Sequence, residues 1–331
     1  MKAPLKKFND KSVELGFGGK PSNKDHRSLN KDGTFNIKRT GMSFFQEDNI
    51  YHDLINMSWK HFTLMVLGIY TVVNFLFAIT YYLMGVDKLI GVIANSEAQK
   101  FWEAFFFSAQ TLTTVGYGRV SPMAFSTNII ASMESFTGLM GFALATGLLY
   151  GRFSRPNAKI LSSDNAVVAP YKNGTATALM FRIANARKNQ LIEAEARVLM
   201  SWSAEDDSGK KIRRFTPIDL EIDKISFLAL NWTIVHPINE KSPLWGLSEK
   251  ELLEIDAEFL IMIKAFDDTF SQTVHTRTSY KGHEVVWGAR YTPMYVNDGS
   301  TTTVLELDKI GSYERVDLPN PSVIMSQIQA E

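Results

Sequence analysis

Two long apolar segments, separated by a short one, constrain the fold of this chain more than any other feature of its sequence. Residues 62–84 contain no charged residue and no histidine, and residues 125–150 contain Glu134 as their only charged residue. A hydrocarbon core about 30 Å thick requires about 20 helical residues, so both segments are long enough to span it. We therefore predict transmembrane helices over residues 59–84 and 124–151.

The apolar segment between them, residues 101–112, is too short to span a bilayer. A helix of this length enters the membrane and returns on the same side. Non-helical backbone at membrane depth is tolerated only where protein buries it or where it lines a wet cavity. We therefore predict a re-entrant pore helix over residues 101–112, followed by a non-helical segment that faces such a cavity.

The non-helical segment reads Thr114-Val115-Gly116-Tyr117-Gly118. In potassium-selective pores, the backbone carbonyls of residues in this order replace the hydration shell of K⁺. The two glycines tolerate dihedral angles that let successive carbonyls face one axis. A chance match to five specified residues has a probability on the order of 10⁻⁴ in such a chain. These residues are the predicted selectivity filter, and symmetry-related copies must complete the coordination of the ion.

Composition and motifs exclude several other classes of function. The chain carries 35 basic residues, 35 acidic residues and no cysteine, which gives no reason to expect nucleic acid as a partner and excludes disulfides. The sequence shows no nucleophile elbow, phosphate-binding loop or paired carboxylates, so we expect no enzymatic activity and no cofactor. His236 and His283 have no neighbours at metal-ligand spacing, which leaves the filter carbonyls as the predicted metal site.

The N-terminal region is polar. Residues 1–43 are predicted to be disordered and to lack a cleaved secretory signal. Residues 44–58 alternate apolar and charged side chains at helical spacing, which is typical of an interfacial helix and also of an ordinary amphipathic surface helix. Basic residues near both spans predict that both termini are cytoplasmic. These residues are Lys38, Arg39, Arg152, Arg155 and Lys159.

The pattern changes after a linker predicted over residues 152–165. Short alternating apolar runs follow, among them residues 178–183, 259–263 and 303–307, and turn signals such as Lys172-Asn173-Gly174 separate them. An antiparallel β-sandwich over residues 166–331 is the predicted structure.

This order of elements resembles the inwardly rectifying potassium channels, especially their bacterial branch. The likeness extends to Gly151-Arg152-Phe153-Ser154-Arg155-Pro156, to Trp232-Thr233-Ile234-Val235-His236-Pro237-Ile238 and to Glu284-Val285-Val286-Trp287-Gly288-Ala289-Arg290-Tyr291. The resemblance implies a two-helix potassium pore, a cytoplasmic immunoglobulin-like β-sandwich, a homotetramer and a location in the bacterial inner membrane. Passive K⁺ conduction is the function it implies.

Three residues near the filter are predicted to support it. Gln110 stands where many eukaryotic members carry a glutamate paired with an arginine, so we expect that buried ion pair to be missing. Thr113 either bonds the filter backbone or caps the pore helix. Glu134 either holds the filter from behind by hydrogen bonding or is a protonated residue in helix packing.

Four residues of the second span recur every four positions and share one helical face, the predicted pore lining: Gly138, Phe142, Thr146 and Tyr150. Gly138 is the candidate bend. Tyr150 is the candidate gate, closing by dewetting, or else an interfacial tyrosine. Phe142 matches the position at which strongly rectifying relatives carry an acid that binds polyamines or Mg²⁺, so we predict weak rectification.

Two cytoplasmic clusters match the inner vestibule of the family. Glu205, Asp206 and Asp207 would concentrate cations there, although a solvated hairpin turn explains them equally well. Ala265, Phe266 and Asp267 match the apical turn that narrows the vestibule. Mg²⁺, Ba²⁺ and polyamines are the expected blockers.

Arg152 and Arg155 fall where relatives contact anionic lipid headgroups, each attracted by about 1 kcal/mol. Phosphatidylinositol bisphosphate is the candidate lipid, with the sign of its effect left open. Alternatively, these arginines only set the topology of the chain in the membrane.

Two other functions compete with the channel. One is a membrane-anchored β-sandwich with a closed pore. The other is a different potassium channel type, but the sequence lacks the arginine-rich sensor helix of a voltage-gated channel and the nucleotide-binding βαβ unit of a ligand-gated one.

Overall fold

The computed structural model describes residues 27–38, 50–154, 159–205, 209, 211–296 and 302–319. The chain divides into two compact units. We call residues 41–155 the pore unit, and residues 1–40 together with 156–331 the β unit. Each has a hydrophobic core of its own.

The pore unit is helical. Its helices are α1 (Ile50–Asn56), α2 (Trp59–Met84), α3 (Glu97–Leu112) and α4 (Phe125–Phe153), and two short strands, β1 (Leu89–Ile90) and β2 (Ser121–Pro122), pair antiparallel. Within the described ranges, α2 and α4 are the helices long and apolar enough to cross a membrane. The predicted pair of membrane-length helices is therefore confirmed.

Capping residues set the helix bounds. The Ser58 hydroxyl accepts from the His61 N–H at the start of α2, whose bounds coincide with residues 59–84. The Ser96 hydroxyl accepts from the Gln99 N–H, so α3 begins four residues before the predicted Phe101. The pattern of apolar residues could not reveal this polar first turn. Of the predicted interfacial helix 44–58, residues 44–49 lie outside the described part of the chain.

The core of the pore unit joins α2 and α3 to the chain that follows the filter. Buried side chains of Tyr81, Leu89, Ala104, Phe107 and Val120 form one cluster. The Tyr81 and Phe107 rings meet edge to face with centroids 5.0 Å apart. The pore helix is thus fixed against the first long helix.

The β unit is a sandwich of two five-stranded sheets. The strands in chain order are β3 (Ile160–Ser162), β4 (Ala166–Tyr171), β5 (Ala176–Asn185), β6 (Leu191–Glu205), β7 (Lys211–Ile218), β8 (Lys224–Phe227), β9 (Asn231–Ile238), β10 (Glu258–Asp267), β11 (Gln272–Lys281) and β12 (Val285–Trp287). One sheet has the order β11-β10-β6-β7 with β8 also on β6, and the other has the order β12-β4-β5-β3 with β9 also on β5. Side chains from both sheets form one buried cluster, so the predicted β-rich domain is confirmed.

Short elements complete the β unit. Helix α5 (Glu249–Glu254) begins with a capping box between Ser248 and Glu251. Strand β13 (Ala289–Tyr291) pairs with β16 (Tyr313–Arg315), and β14 (Tyr295–Val296) pairs with β15 (Val304–Leu305).

The predicted linker over residues 152–165 is wrong at both ends. Helix α4 continues to Phe153, and β3 already begins at Ile160 and pairs with β5. Strand β3 has only three residues, too few for an alternating pattern to be recognised. The β unit therefore starts one strand earlier than residue 166.

Predicted disorder through residue 43 is wrong for residues 27–38, which we call the arm. The Leu29 side chain is 3% exposed, and Leu29 bridges Phe35 within the arm. The Ser28 and Leu29 N–H groups donate to the Glu258 carboxylate over 2.9 and 3.1 Å. Hydrogen bonds to a buried carboxylate hold the arm. The prediction of disorder was based on low apolar content, which does not account for such bonds.

Candidate ion-conduction site

The filter segment follows α3 directly and has an alternating backbone. Thr114, Gly116 and Gly118 have φ of 59°, 52° and 80°, whereas Val115 and Tyr117 between them do not have positive φ. Such alternation turns successive carbonyl groups toward one side of the chain. Thr114 adopts this conformation without being glycine, a strain of order 1–3 kcal/mol that its surroundings must offset.

The C-terminal end of α3 anchors the start of the filter. The Gln110 main-chain carbonyl accepts from the Val115 N–H over 2.9 Å and from the Gly116 N–H over 3.3 Å, and the Thr114 N–H donates to the Thr111 carbonyl. Gln110 thus contacts the filter through its backbone. Of the two roles left open for Thr113, the structure has the helix cap, because its hydroxyl donates to the Ala109 carbonyl over 2.7 Å.

A single chain leaves the filter uncovered. Val115 is 54% exposed and Tyr117 is 79% exposed. A Cβ added to Gly116 or Gly118 would meet no atom within 4 Å, so these glycines are required by their φ angles and not by lack of space.

Glu134 lies fully buried where α2, α3 and α4 meet. Its carboxylate accepts from the Tyr81 hydroxyl over 2.7 Å and from the Ser108 hydroxyl of the pore helix. The Ser108 hydroxyl also lies 3.2 Å from the Asn74 side-chain oxygen. Glu134 therefore contacts the pore helix rather than the filter residues, and its effect on the filter stays a prediction.

Gly138 packs closely against the end of the pore helix. A Cβ on this residue would overlap the Leu112 carbonyl oxygen and would lie 2.8 Å from the carbonyl carbon. Helix α4 also continues unbroken through it. This glycine therefore lets α4 pack against the end of the pore helix, and its roles in lining the pore and bending α4 stay predictions. Four-residue spacing indicates a shared face but not what that face contacts.

The other three predicted pore-lining residues are exposed on α4. Phe142 is 73% exposed and Tyr150 is 74% exposed, and Thr146 is exposed between them. Their roles in lining and gating stay predictions.

The predicted vestibule residues separate into two groups. Glu205 is the exposed last residue of β6, and Asp206 and Asp207 lie outside the described residues. Ala265 and Asp267 are buried within β10, and Phe266 between them is half-buried. The Asp267 carboxylate accepts from the Asn189 amide over 2.6 Å and from the Thr269 N–H over 3.0 Å.

The side chains of Ala265 and Asp267 therefore belong to the core of the β unit, and narrowing of a vestibule by this turn stays a prediction. Strand β10 runs through Asp267, and strand alternation directs these two side chains to the core. The turn begins at Asp268.

Arg152 contacts protein rather than being free for lipid. Its guanidinium donates to the carbonyls of Leu54 and Ile55 over 2.5 and 3.0 Å, and to that of Met57 over 2.5 Å. Residues at the end of a helix have unpaired carbonyls, and this arginine satisfies them at the end of α1. The Arg152 guanidinium is thus occupied by α1 carbonyls, its contact with a lipid headgroup stays a prediction, and Arg155 lies outside the described residues.

Sequence reasoning missed one residue near the filter, Glu103. Arg119, directly after the filter, pairs with the Glu103 carboxylate over 2.6 Å and donates to the Gly91 carbonyl over 3.2 Å. Glu103 lies seven residues, or about two turns, before Gln110 on the same helix. Helical spacing was the signal that could have identified it.

His236 is buried in the β unit beside a cavity of about 180 Å³. Its Nδ1 lies 2.6 Å from the Asp219 carbonyl oxygen and its Nε2 lies 2.7 Å from the Ser242 hydroxyl. Burial lowers the pKa of His236, which favours the neutral ring. Within the described residues, no three His, Cys, Asp or Glu side chains are grouped as a metal site requires.

Comparison with known proteins gives matches to both units. A family model described as an ion channel matches residues 62–155, and one described as the C-terminal domain of inward rectifier potassium channels matches residues 160–331. The inward rectifier potassium channel Kirbac3.1 of Paramagnetospirillum magnetotacticum is 36% identical over 293 residues, which are 88% of this chain and 97% of that protein.

Animal relatives match at lower identity. The G protein-activated inward rectifier potassium channel 4 of Homo sapiens is 26% identical over 310 residues, 86% of this chain and 71% of the relative. The ATP-sensitive inward rectifier potassium channel 12 of Gallus gallus is 27% identical over 297 residues, 81% of this chain and 67% of the relative.

Proposed function

The chain belongs to the inward rectifier potassium channel family, and from this premise we propose that four copies surround one axis and conduct K⁺ passively between them. The observation that carries the proposal is the alternating φ along the filter, at Thr114, Gly116 and Gly118. It supplies a row of carbonyl oxygens at the end of a pore helix, the ligand set that replaces the hydration shell of K⁺.

Exposure of the filter supports the tetramer. Non-helical backbone in a membrane must be buried by protein or line a wet cavity, and one chain leaves Val115 and Tyr117 exposed. Three further copies around the axis would cover the outward sides of the filter and leave its carbonyls facing the ion. An immunoglobulin-like arrangement of the β unit accompanies this proposal by family resemblance.

The proposed path leads from the filter through a wet cavity lined by α4 to a gate near Tyr150 and then to the β unit on the cytoplasmic side. The exposed rings of Phe142 and Tyr150, one above the other on α4, support this lining. Since Phe142 replaces an acid, block by Mg²⁺ or polyamines is weak and so is rectification. Glu205 contributes negative charge to the vestibule.

Both termini are proposed to be cytoplasmic, with the chain in a bacterial inner membrane. Anionic lipid, with phosphatidylinositol bisphosphate as the candidate, acts through Arg155 and Lys159, since the Arg152 guanidinium is bound to α1 carbonyls. Basic residues next to a span attract such headgroups.

Cation flux into liposomes of defined lipid content tests the proposal. We expect K⁺ flux that exceeds Na⁺ flux and that Ba²⁺ blocks, with and without the candidate lipid. Tyr150→Ala, the gate control, is expected to raise the flux. Absence of flux in every lipid mixture, including from Tyr150→Ala, would favour a membrane-anchored β-sandwich with a closed pore.

A further inference from the structure

We propose that Glu103 and Arg119 form an ion pair that holds the far end of the selectivity filter. The inference rests on the proposed function, because it assigns the pair a part in ion selectivity. It concerns the end of the filter at Gly118, opposite the end anchored on α3.

The two ends of the filter are held differently. Main-chain hydrogen bonds from the end of α3 reach as far as the Gly116 N–H, and in the part of the chain that the structure describes none reaches Tyr117 or Gly118. The second half of the filter therefore depends on the residues that follow it. Arg119 is the first of these.

Arg119 connects three segments with one guanidinium. Its Nη2 lies 2.6 Å from a Glu103 oxygen on α3, and its Nη1 lies 3.2 Å from the Gly91 carbonyl oxygen after β1. The planar fork of arginine allows both bonds at once, which a lysine ammonium on the same stem does not reproduce.

The backbone around Arg119 is equally constrained. A Cβ on Gly91 would overlap the Arg119 carbonyl oxygen, and Gly91 has φ of 86°. The next residue, Val120, is 7% exposed, and Ser121 pairs with Ile90 in the two-stranded ladder. The ion pair thus joins α3 to a packed chain segment that begins directly after Gly118.

The carboxylate of this pair is less exposed than that of an ordinary surface ion pair. The Glu103 side chain is 18% exposed, whereas Glu97, which pairs with Lys100 over 2.8 Å on the same helix, is 70% exposed; the basic partners Arg119 and Lys100 are similarly exposed, at 49% and 44%. Partial desolvation strengthens the interaction between two charges. Glu97 and Lys100 therefore form the control, as an acid–base pair on the same helix that involves neither the filter nor the residue after it.

The test uses the full-length channel in liposomes and measures the ratio of K⁺ flux to Na⁺ flux. We expect Glu103→Gln and Arg119→Gln each to lower the ratio about two- to fivefold, the range that corresponds to the coupling energy of a partly exposed ion pair. The double variant Glu103→Arg/Arg119→Glu should recover at least half of the loss. Glu97→Gln should leave the ratio unchanged.

The inference is overturned if the wild type selects K⁺ while both single variants retain its ratio, or if the charge-exchanged variant is no better than the sum of the single losses. If the wild type passes no ion, the proposed function fails instead. The inference about the ion pair is then tested by comparing the thermal unfolding midpoint in K⁺ with that in Na⁺. Extra stability in K⁺ that Glu103→Gln abolishes supports the pair. Stability in K⁺ that the variant retains, or that the wild type lacks, overturns it.

Discussion

The guanidinium carbon of Arg152 lies 4.6 Å from the ring centre of Trp59. The ring of Phe62 lies at 4.5 Å from the same carbon, and the guanidinium nitrogens donate to carbonyls at the end of α1. One side chain thus joins the end of α4 to the end of α1 and to the start of α2. Aromatic stacking and charge-assisted hydrogen bonds both favour arginine at this position.

Substitution of Arg152 should destabilise the pore unit. Arg152→Gln loses the stacking and most of the carbonyl contacts, so we expect the free energy of unfolding to fall by about 2 kcal/mol or more. Arg152→Lys keeps the charge but not the planar fork of the guanidinium, so its free energy of unfolding should lie between those of the wild type and Arg152→Gln. Thermal unfolding in detergent measures this, with exposed Lys60→Gln as the control. Equal midpoints for wild type and Arg152→Gln would contradict the role.

Gly138→Ala should be among the most damaging single-methyl changes in the chain. The added Cβ meets the Leu112 carbonyl, so α4 must move away from α3 at a cost of about 1–3 kcal/mol. Gly141→Ala is the matched control, since its Cβ meets no atom within 4 Å in the single chain and alanine favours a helix. We expect lower thermal stability and reduced K⁺ flux for Gly138→Ala only. Wild-type behaviour of that variant would exclude the close packing.

Glu134→Gln should weaken ion selectivity. The variant keeps the shape but replaces one acceptor oxygen with an amide donor, which faces a hydroxyl of either Tyr81 or Ser108. We expect a lower ratio of K⁺ flux to Na⁺ flux, measured in liposomes, and a smaller change for Tyr81→Phe. Ser132→Ala, on the exposed side of α4, is the control. Unchanged conductance and selectivity would leave helix packing as the role of Glu134.

Phe142→Asp should convert weak rectification into strong rectification. Four carboxylates at this level of α4 would attract polyamines, which an aromatic ring does not. In planar bilayers with spermine on the cytoplasmic side, we expect outward current to fall while inward current persists. Phe136→Asp, six residues away on a different face, should not have this effect. Equal block of both variants would mean that Phe142 does not face the pore.

Acid should release the arm from the rest of the β unit. Burial alone would raise the pKa of Glu284, but its hydrogen bonds with Arg27 and the Lys281 N–H, together with the charges of Arg27 and Lys31, lower it below the ordinary value of 4.5. A carboxylate with a lowered pKa stabilises the folded state above its unfolded pKa, and this stabilisation is lost as pH falls through the folded pKa.

A spin label reports this release. Because the chain has no cysteine, Asn36→Cys provides a unique labelling site on the exposed side of the arm. We expect the label to become more mobile as pH falls below 4.5, and Glu284→Gln to show high mobility already at pH near 7. Constant mobility in both proteins would show that Glu284 does not hold the arm.

The sequence predicted the features that depend on local signals. The run of residues 62–84 and the filter motif carry their information in adjacent residues, so α2 and the filter position followed directly. Contacts between distant residues did not follow. The arm depends on Glu258, some 230 positions away, and the Glu103–Arg119 pair depends on how the chain returns past α3.

The sequence also did not show which side chains of β10 face the core. The sequence placed Ala265 and Asp267 near a turn, but it could not show that β10 carries them toward the core. There the Asp267 carboxylate accepts hydrogen bonds from the Asn189 amide and from the Thr269 N–H of the turn.

The arm makes the β unit discontinuous in sequence, and this has a consequence for the covalent architecture. The pore unit is an insertion within the β unit, with residues 27–38 on one side of it and β3 on the other. A single proteolytic cut between residues 39 and 49 therefore leaves every segment attached, the arm by its bonds to Glu258 and Glu284 and the pore unit through residues 155–158. Separation of the two units as fragments requires a second cut.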